Sequence, residues 1–211
     1  MGFEINNFFR ELSIMALPFL FAITIHEASH GYAAYFLGDD TAKRYGRLTL
    51  NPIAHIDVIG LLFLFLTRLF GWAKPVPVDF TKLRNRKYGP AIVALAGPLS
   101  NFLLAFVSAL VFHVLSRVSF PSEFSKYFIK PIILMFVFSV QINVALGVFN
   151  LIPILPLDGG RILQQFLPLN LAYKYSQTER YGFFIILILI ITNVVSNFIY
   201  PIINFILVLL L

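Results

Sequence analysis

The chain has 211 residues, 59% hydrophobic and 12% charged, with a formal net charge of +6 and no cysteine. An average soluble protein carries about twice that charged fraction, and one of this size could not bury so much apolar surface, so the composition excludes a soluble domain and reads as an all-α polytopic membrane protein, one domain over residues 1–211. Disulfides and thiolate metal sites are excluded, and the excess of Lys and Arg falls in short loops between apolar runs, a membrane-topology pattern with no nucleic-acid partner implied.

The first predicted helix covers about Leu12–Leu37, long enough to span a bilayer, and Gly38-Asp39-Asp40 stops it. From Ser13 to Phe36 its only charge lies in His26-Glu27-Ala28-Ser29-His30. Two imidazoles four residues apart share one helix face and can reach one Zn²⁺, and the glutamate between them is placed to take a proton from a zinc-bound water. Ionisable groups are costly at membrane depth, so hydrolysis there is the reading that explains them. No cleavable leader is read, because removing this run would remove the motif.

A polar loop with Lys43, Arg44, Arg47 and Asn51-Pro52-Ile53-Ala54-His55-Ile56-Asp57 follows. Next come a short apolar run, Val58–Phe70, and Gly71–Val78, which Pro75 and Pro77 keep from being helical. Residues 51–80 are thus expected to form an extended or re-entrant strand region, followed by a basic cluster at Lys82, Arg84, Arg86 and Lys87. Apolar helices are predicted over about 91–115 and from 132 to 158, the latter broken at Pro153 and Pro156 and ending at Asp158-Gly159-Gly160. The last part, 181–211, holds two apolar helices joined near Asn197.

Val58–Phe70 decides the topology. Thirteen residues rise roughly 20 Å, short of a ~30 Å hydrocarbon core. If the run dips in and returns, twelve Lys and Arg lie on one side and four on the other; if it spans, the split is ten to six. The more asymmetric split favours re-entry, five true spans within five to six membrane segments, and an N-terminus outside.

A catalytic zinc usually takes three protein ligands and a water. The candidates for the third ligand are Asp39, Asp40, His55, Asp57 and Asp158. Asp39 and Asp40 lie two or more turns past His30 and read as caps of the turn in water. His55 and Asp57 could reach back only if their loop re-enters. Asp158 is the strongest choice: prolines unwind the chain before it, and Gly159 and Gly160 allow a close approach to the metal. Asn150, and with less support Asn101, are polar groups placed to assist substrate or oxyanion binding, while Asn143, His113 and the Lys82–Lys87 cluster read as packing, packing and headgroup contact.

His26-Glu27-x-x-His30, Ala94-Leu95-Ala96-Gly97-Pro98-Leu99-Ser100-Asn101 and Asn150-Leu151-Ile152-Pro153-x-x-Pro156-Leu157-Asp158-Gly159 together resemble the site-2 protease family of intramembrane zinc metalloproteases, peptidase family M50. The resemblance implies that His26, His30 and Asp158 bind one Zn²⁺ per chain and that Glu27 activates the water. It also implies a core of three helices (12–37, 91–115 and 132–158) and a strand region at 71–78 that pairs with unwound substrate. The activity implied is regulated intramembrane proteolysis of single-span or trimmed membrane proteins, near the cytosolic side of a prokaryotic plasma membrane. The linker between Arg117 and Lys130 has no room for a PDZ insert and no CBS-like tail follows Leu211, so the resemblance is to the minimal, compact subgroup.

Two other function classes compete. A membrane-segment binder or chaperone could retain the metal site without cutting, but it would have no need of Glu27. A transporter should spread ionisable residues over several spans, whereas Glu27 and Asp158 are the acids tied to the apolar runs.

Overall fold

The computed structural model describes residues 2–60, 62 and 72–211. Residues 63–71, with Arg68, lie outside the described residues, and so does most of the run on which crossing or re-entry depends.

Helix α1 runs Gly2–Phe36, starting ten residues earlier than the apolar pattern alone suggested. It ends in a Schellman turn: Gly38 takes φ +108°, its amide donates to Tyr35 O, and the Asp39 amide donates to Ala34 O. A single turn, α2 (Thr41–Arg44), and a 3₁₀ turn at Pro52–His55 follow. Helix α3 is Gly89–Arg117, and α4 is Lys130–Asn150, preceded without a break by a π turn at Ser125–Ile129.

Two corrections concern the C-terminal third. Asp158 does not end the helix predicted over 132–158. That helix stops at Asn150, residues 151–157 form an irregular connection, and Asp158 opens a new short helix, α5 (Asp158–Phe166). The prolines break the helix as expected, but the chain resumes helical geometry two residues after Pro156, where an acid in the first turn suits the helix dipole. Helix α6 is Leu169–Ser176, α7 Glu179–Ile191 and α8 Val194–Leu210. The joint between the last two is at Asn193, in the left-handed region with φ 58°, rather than at Asn197.

Helices α1, α3 and α4 pack on one another, α5 packs on α3, and α8 covers α4. Among the described residues there is no β-strand. The segment 72–79 is extended, with an antiparallel bridge between Ile56 and Ala73 and a backbone bond from Lys74 N to His55 O at 2.9 Å.

Two helices, Gly89–Arg117 and Ser122–Asn150, are long and apolar enough to cross a membrane. The pattern on α3 is inverted relative to a water-soluble helix. Ile92, Leu95, Leu99, Leu103, Phe106, Leu110 and Val114, at three- and four-residue spacing, form one exposed face. Gly97, Asn101, Ala105 and Ser108 lie buried on the other. An apolar exterior over a polar interior suits lipid and disfavours water.

Candidate metal centre

His26 and His30 leave α1 on the same face, one turn apart, and α3 meets that face at its narrowest point. A methyl group on Gly97 would overlap the His30 ring and come within 2.7 Å of His26 Cε1, so only glycine lets α3 come so close. The rings are latched through their Nδ1 atoms. His26 donates to Asn101 Oδ1 at 2.6 Å and His30 to Val93 O at 2.7 Å. With both Nδ1 positions acting as donors, each neutral ring presents a lone pair at Nε2.

Those lone pairs are 3.1 Å apart and face Asp158 Oδ2 at 3.2 and 3.4 Å. Such distances would be hydrogen bonds only if Nε2 were protonated; otherwise Asp158 Oδ2 is a buried oxygen with no donor. Three acceptors within 4.8 Å of one another, in a buried place, repel unless a cation lies between them. Two imidazoles and a carboxylate with a further position open form a donor set that fits a catalytic zinc.

Glu27 is directed to the other side of the group, where its Oε2 accepts the Val76 amide at 3.0 Å. This holds the extended segment against α1. Pro75 and Pro77 have no N–H, so Val76 and Val78 supply the amide donors between Lys74 and Asp79. The far end of the segment is tied by Asp39, whose Oδ2 accepts the Asp79 amide at 2.7 Å. Asp39 does cap the turn, its Oδ1 accepting the Thr41 amide at 2.9 Å, but it does so fully buried and not in water, and its other oxygen staples the segment to the end of α1. The Thr81 hydroxyl bonded to Asp79 holds that carboxyl below the usual range.

The remaining candidates separate. Asp40 is on the surface with Arg44, and its carboxyl is lowered by that guanidinium. His55 is fully buried but bonded to Thr49 O at 2.9 Å, away from the cluster. Asp57 accepts the Gly60 amide and borders the cavity without joining the metal group. His113 reaches Leu210 O at 2.9 Å on α8. Gly159 and Gly160 are packed on the backbone of 151–155, which leaves no room for a side chain at either.

The expectation that Asn101 meets substrate is corrected. It is fully buried and its groups are committed: Oδ1 accepts from His26, while Nδ2 donates to Ala22 O at 3.3 Å and to Asn143 Oδ1 at 2.8 Å. Asn143 in turn donates to Ser139 O at 2.9 Å, and Ser139 and Ser108 share a bond at 2.8 Å. A buried polar line therefore runs from His26 through α3 and α4. The sequence reading treated Asn143 as packing; its place beside Gly97-Pro98-x-x-Asn101 is visible only once the helices are docked. Replacing Asn101 by Leu is expected to weaken zinc binding ~10–100-fold, measured by chelator competition, because the His26 ring loses its orienting partner.

Asn150 does face the cavity, and it donates to Leu146 O at 3.0 Å, leaving a second N–H. That cavity, about 1100 Å³, reaches from the metal group to α7 and α8 and is walled by Phe19, Ile23, Val76, Leu146, Phe183 and Ile203 among others.

The family described as peptidase family M50 matches residues 128–193, which hold Asn150 and Asp158. The chain is 38% identical over 190 residues to "Putative zinc metalloprotease YwhC" of Bacillus subtilis, covering 90% of this chain and 85% of that protein. It is 26% identical over 191 residues to "Putative zinc metalloprotease Rip2" of Mycolicibacterium smegmatis, covering 87% and 69%. It is also 26% identical over 180 residues to "Zinc metalloprotease MJ0392" of Methanocaldococcus jannaschii, covering 83% of this chain and 41% of that longer protein. No solved structure matches.

Proposed function

From a chain that belongs to peptidase family M50, the site-2 protease family of zinc metalloproteases, we propose an intramembrane endopeptidase that hydrolyses a peptide bond within the transmembrane segment of a membrane protein. The observation that carries this reading is the convergence of His26, His30 and Asp158 on helices whose outer faces are apolar.

His26, His30 and Asp158 would hold the zinc, and Glu27 is the proton carrier. Zinc supplies Lewis acidity there, bringing the pKa of a water down toward ~7. Glu27 takes the proton of the attacking water and delivers it to the leaving amine as the C–N bond breaks. Asn150 offers its amide to the developing oxyanion. The segment 72–78 lies beside the site with an edge on which unwound substrate can add as a strand.

We read residues 1–211 as one catalytic unit with five crossings and a re-entrant stretch near 58–70. The C-terminal end of α1, the N-terminal end of α3 and the connection to α5 meet at one end of the bundle. The described basic residues Lys43, Arg44, Arg47, Lys74 and Lys82 to Lys87, with Arg161 to Arg180, fall in the segments that join those ends, which supports a site in the cytosolic half of a prokaryotic plasma membrane. Its partners are the bilayer and single-span or trimmed membrane proteins.

The test is zinc content and cleavage of single-span test substrates in detergent, with and without a chelator. The expected result is one zinc per chain, with cutting that stops on chelation and returns with added zinc. Zinc bound without cutting any of a broad panel would favour the non-proteolytic binder.

A further inference from the structure

Asp158 follows a connection that carries no regular hydrogen-bond ladder of its own. Its few internal bonds are short-range, such as Ile154 N to Ile152 O and Leu157 N to Ile154 O. Something else must hold that oxygen beside the two imidazoles, and helices α6 and α7 are in contact with the connection. Tyr175 donates its hydroxyl to Pro153 O at 2.9 Å. Gly182, buried on α7, lies directly on the backbone at Leu155. A methyl there would overlap the Leu155 carbonyl oxygen and come within 2.7 Å of its carbon and 2.8 Å of Pro156 Cδ. Beyond Asp158, Arg161 pairs with Glu179 at the start of α7 at 2.9 Å. The ligand is thus fastened on both sides by elements that supply no group to the metal.

We propose that Gly182 and Tyr175 are positioning residues that brace 153–156 from behind and so keep Asp158 on the two histidines. This rests on the assignment of His26, His30 and Asp158 as zinc ligands. The physical reason is that the connection has no hydrogen-bond ladder of its own, so a backstop is needed for the carboxylate to be held preformed beside the two imidazoles. Helix α7 also walls the cavity through Phe183, Ile186 and Ile190. A substrate that displaces α7 therefore changes zinc affinity, and zinc in turn resists that displacement.

The experiment is zinc affinity by chelator competition on the detergent-purified full chain, with thermal unfolding of the metal-free protein alongside. Gly182→Ala is expected to bind zinc ~10-fold or more weakly and Tyr175→Phe a few-fold more weakly, in line with the ~10–100-fold effect of groups that orient ligands. Phe184→Ala, on the exposed face of α7, should bind as wild type. In an Asp158→Ala background, Gly182→Ala should add nothing, because its effect passes through that carboxylate. If Gly182→Ala does not fold, Tyr175→Phe decides alone. Wild-type affinity in the folded variants, a loss with Phe184→Ala equal to theirs, or an undiminished Gly182→Ala effect without Asp158 would overturn the brace. Wild type that holds no zinc would overturn the ligand assignment itself, and the brace with it.

Discussion

A Glu27→Gln chain is expected to keep its zinc and to cut roughly 10²–10⁴-fold more slowly than wild type. Glutamine has the shape of glutamate and still offers an oxygen to the Val76 amide, so the extended segment should stay where Glu27 holds it at 3.0 Å. None of the three metal ligands changes, and both Nδ1 latches remain. What is lost is the ability to accept a proton at that atom. Metal analysis and single-turnover cleavage, run side by side, separate the two. Full activity in the zinc-loaded variant would mean that the base is elsewhere.

Removing Asp158 acts on the other half of the chemistry. Asp158→Ala is expected to weaken zinc binding by more than the ~10–100-fold seen for groups that merely orient ligands, and to abolish cleavage at ordinary zinc concentrations. The variant loses the oxygen that faces the two Nε2 atoms at 3.2 and 3.4 Å and keeps two of the three ligand groups. Zinc should therefore raise the melting temperature of wild type and leave that of the variant nearly unchanged, because only a species that binds the folded state stabilises it. A metal-free variant that melts much earlier would show that Asp158 is a structural anchor as well.

Much of the candidate site was legible in the chain because its parts are short-range patterns. The four-residue spacing of His26 and His30 places them on one helix face, and a charged pair in an apolar run has few explanations. Prolines at 153 and 156 announce a break, and an acid beyond that break was the strongest remaining ligand. What the pattern could not carry is the register between distant helices. Asn101 lies 75 residues from His26, and only docking of α1 on α3 at Gly97 turns it from a candidate substrate contact into the partner of Nδ1. Asp39 looked like a residue for water because its neighbours are polar; its burial comes from Asp79, 40 positions away. The brace at Gly182 follows from the same cause, since nothing near that glycine marks it as touching a loop from another part of the chain. The pair Gly159-Gly160 suggested room for a metal, and the close neighbour that leaves no room for a side chain there is the backbone of 151–155.

The latches at Asn101 and Val93 have a consequence for how this molecule can open. Both imidazoles hang from α1, and both are tied to α3 at 2.6 and 2.7 Å, at Asn101 and Val93, residues about two helical turns apart. Rolling α1 about its own axis, or sliding it by even one residue, would break both ties at once. The two helices must therefore travel as a single rigid jaw, and the hinge that admits a substrate has to be sought on the facing wall, in α7 and α8.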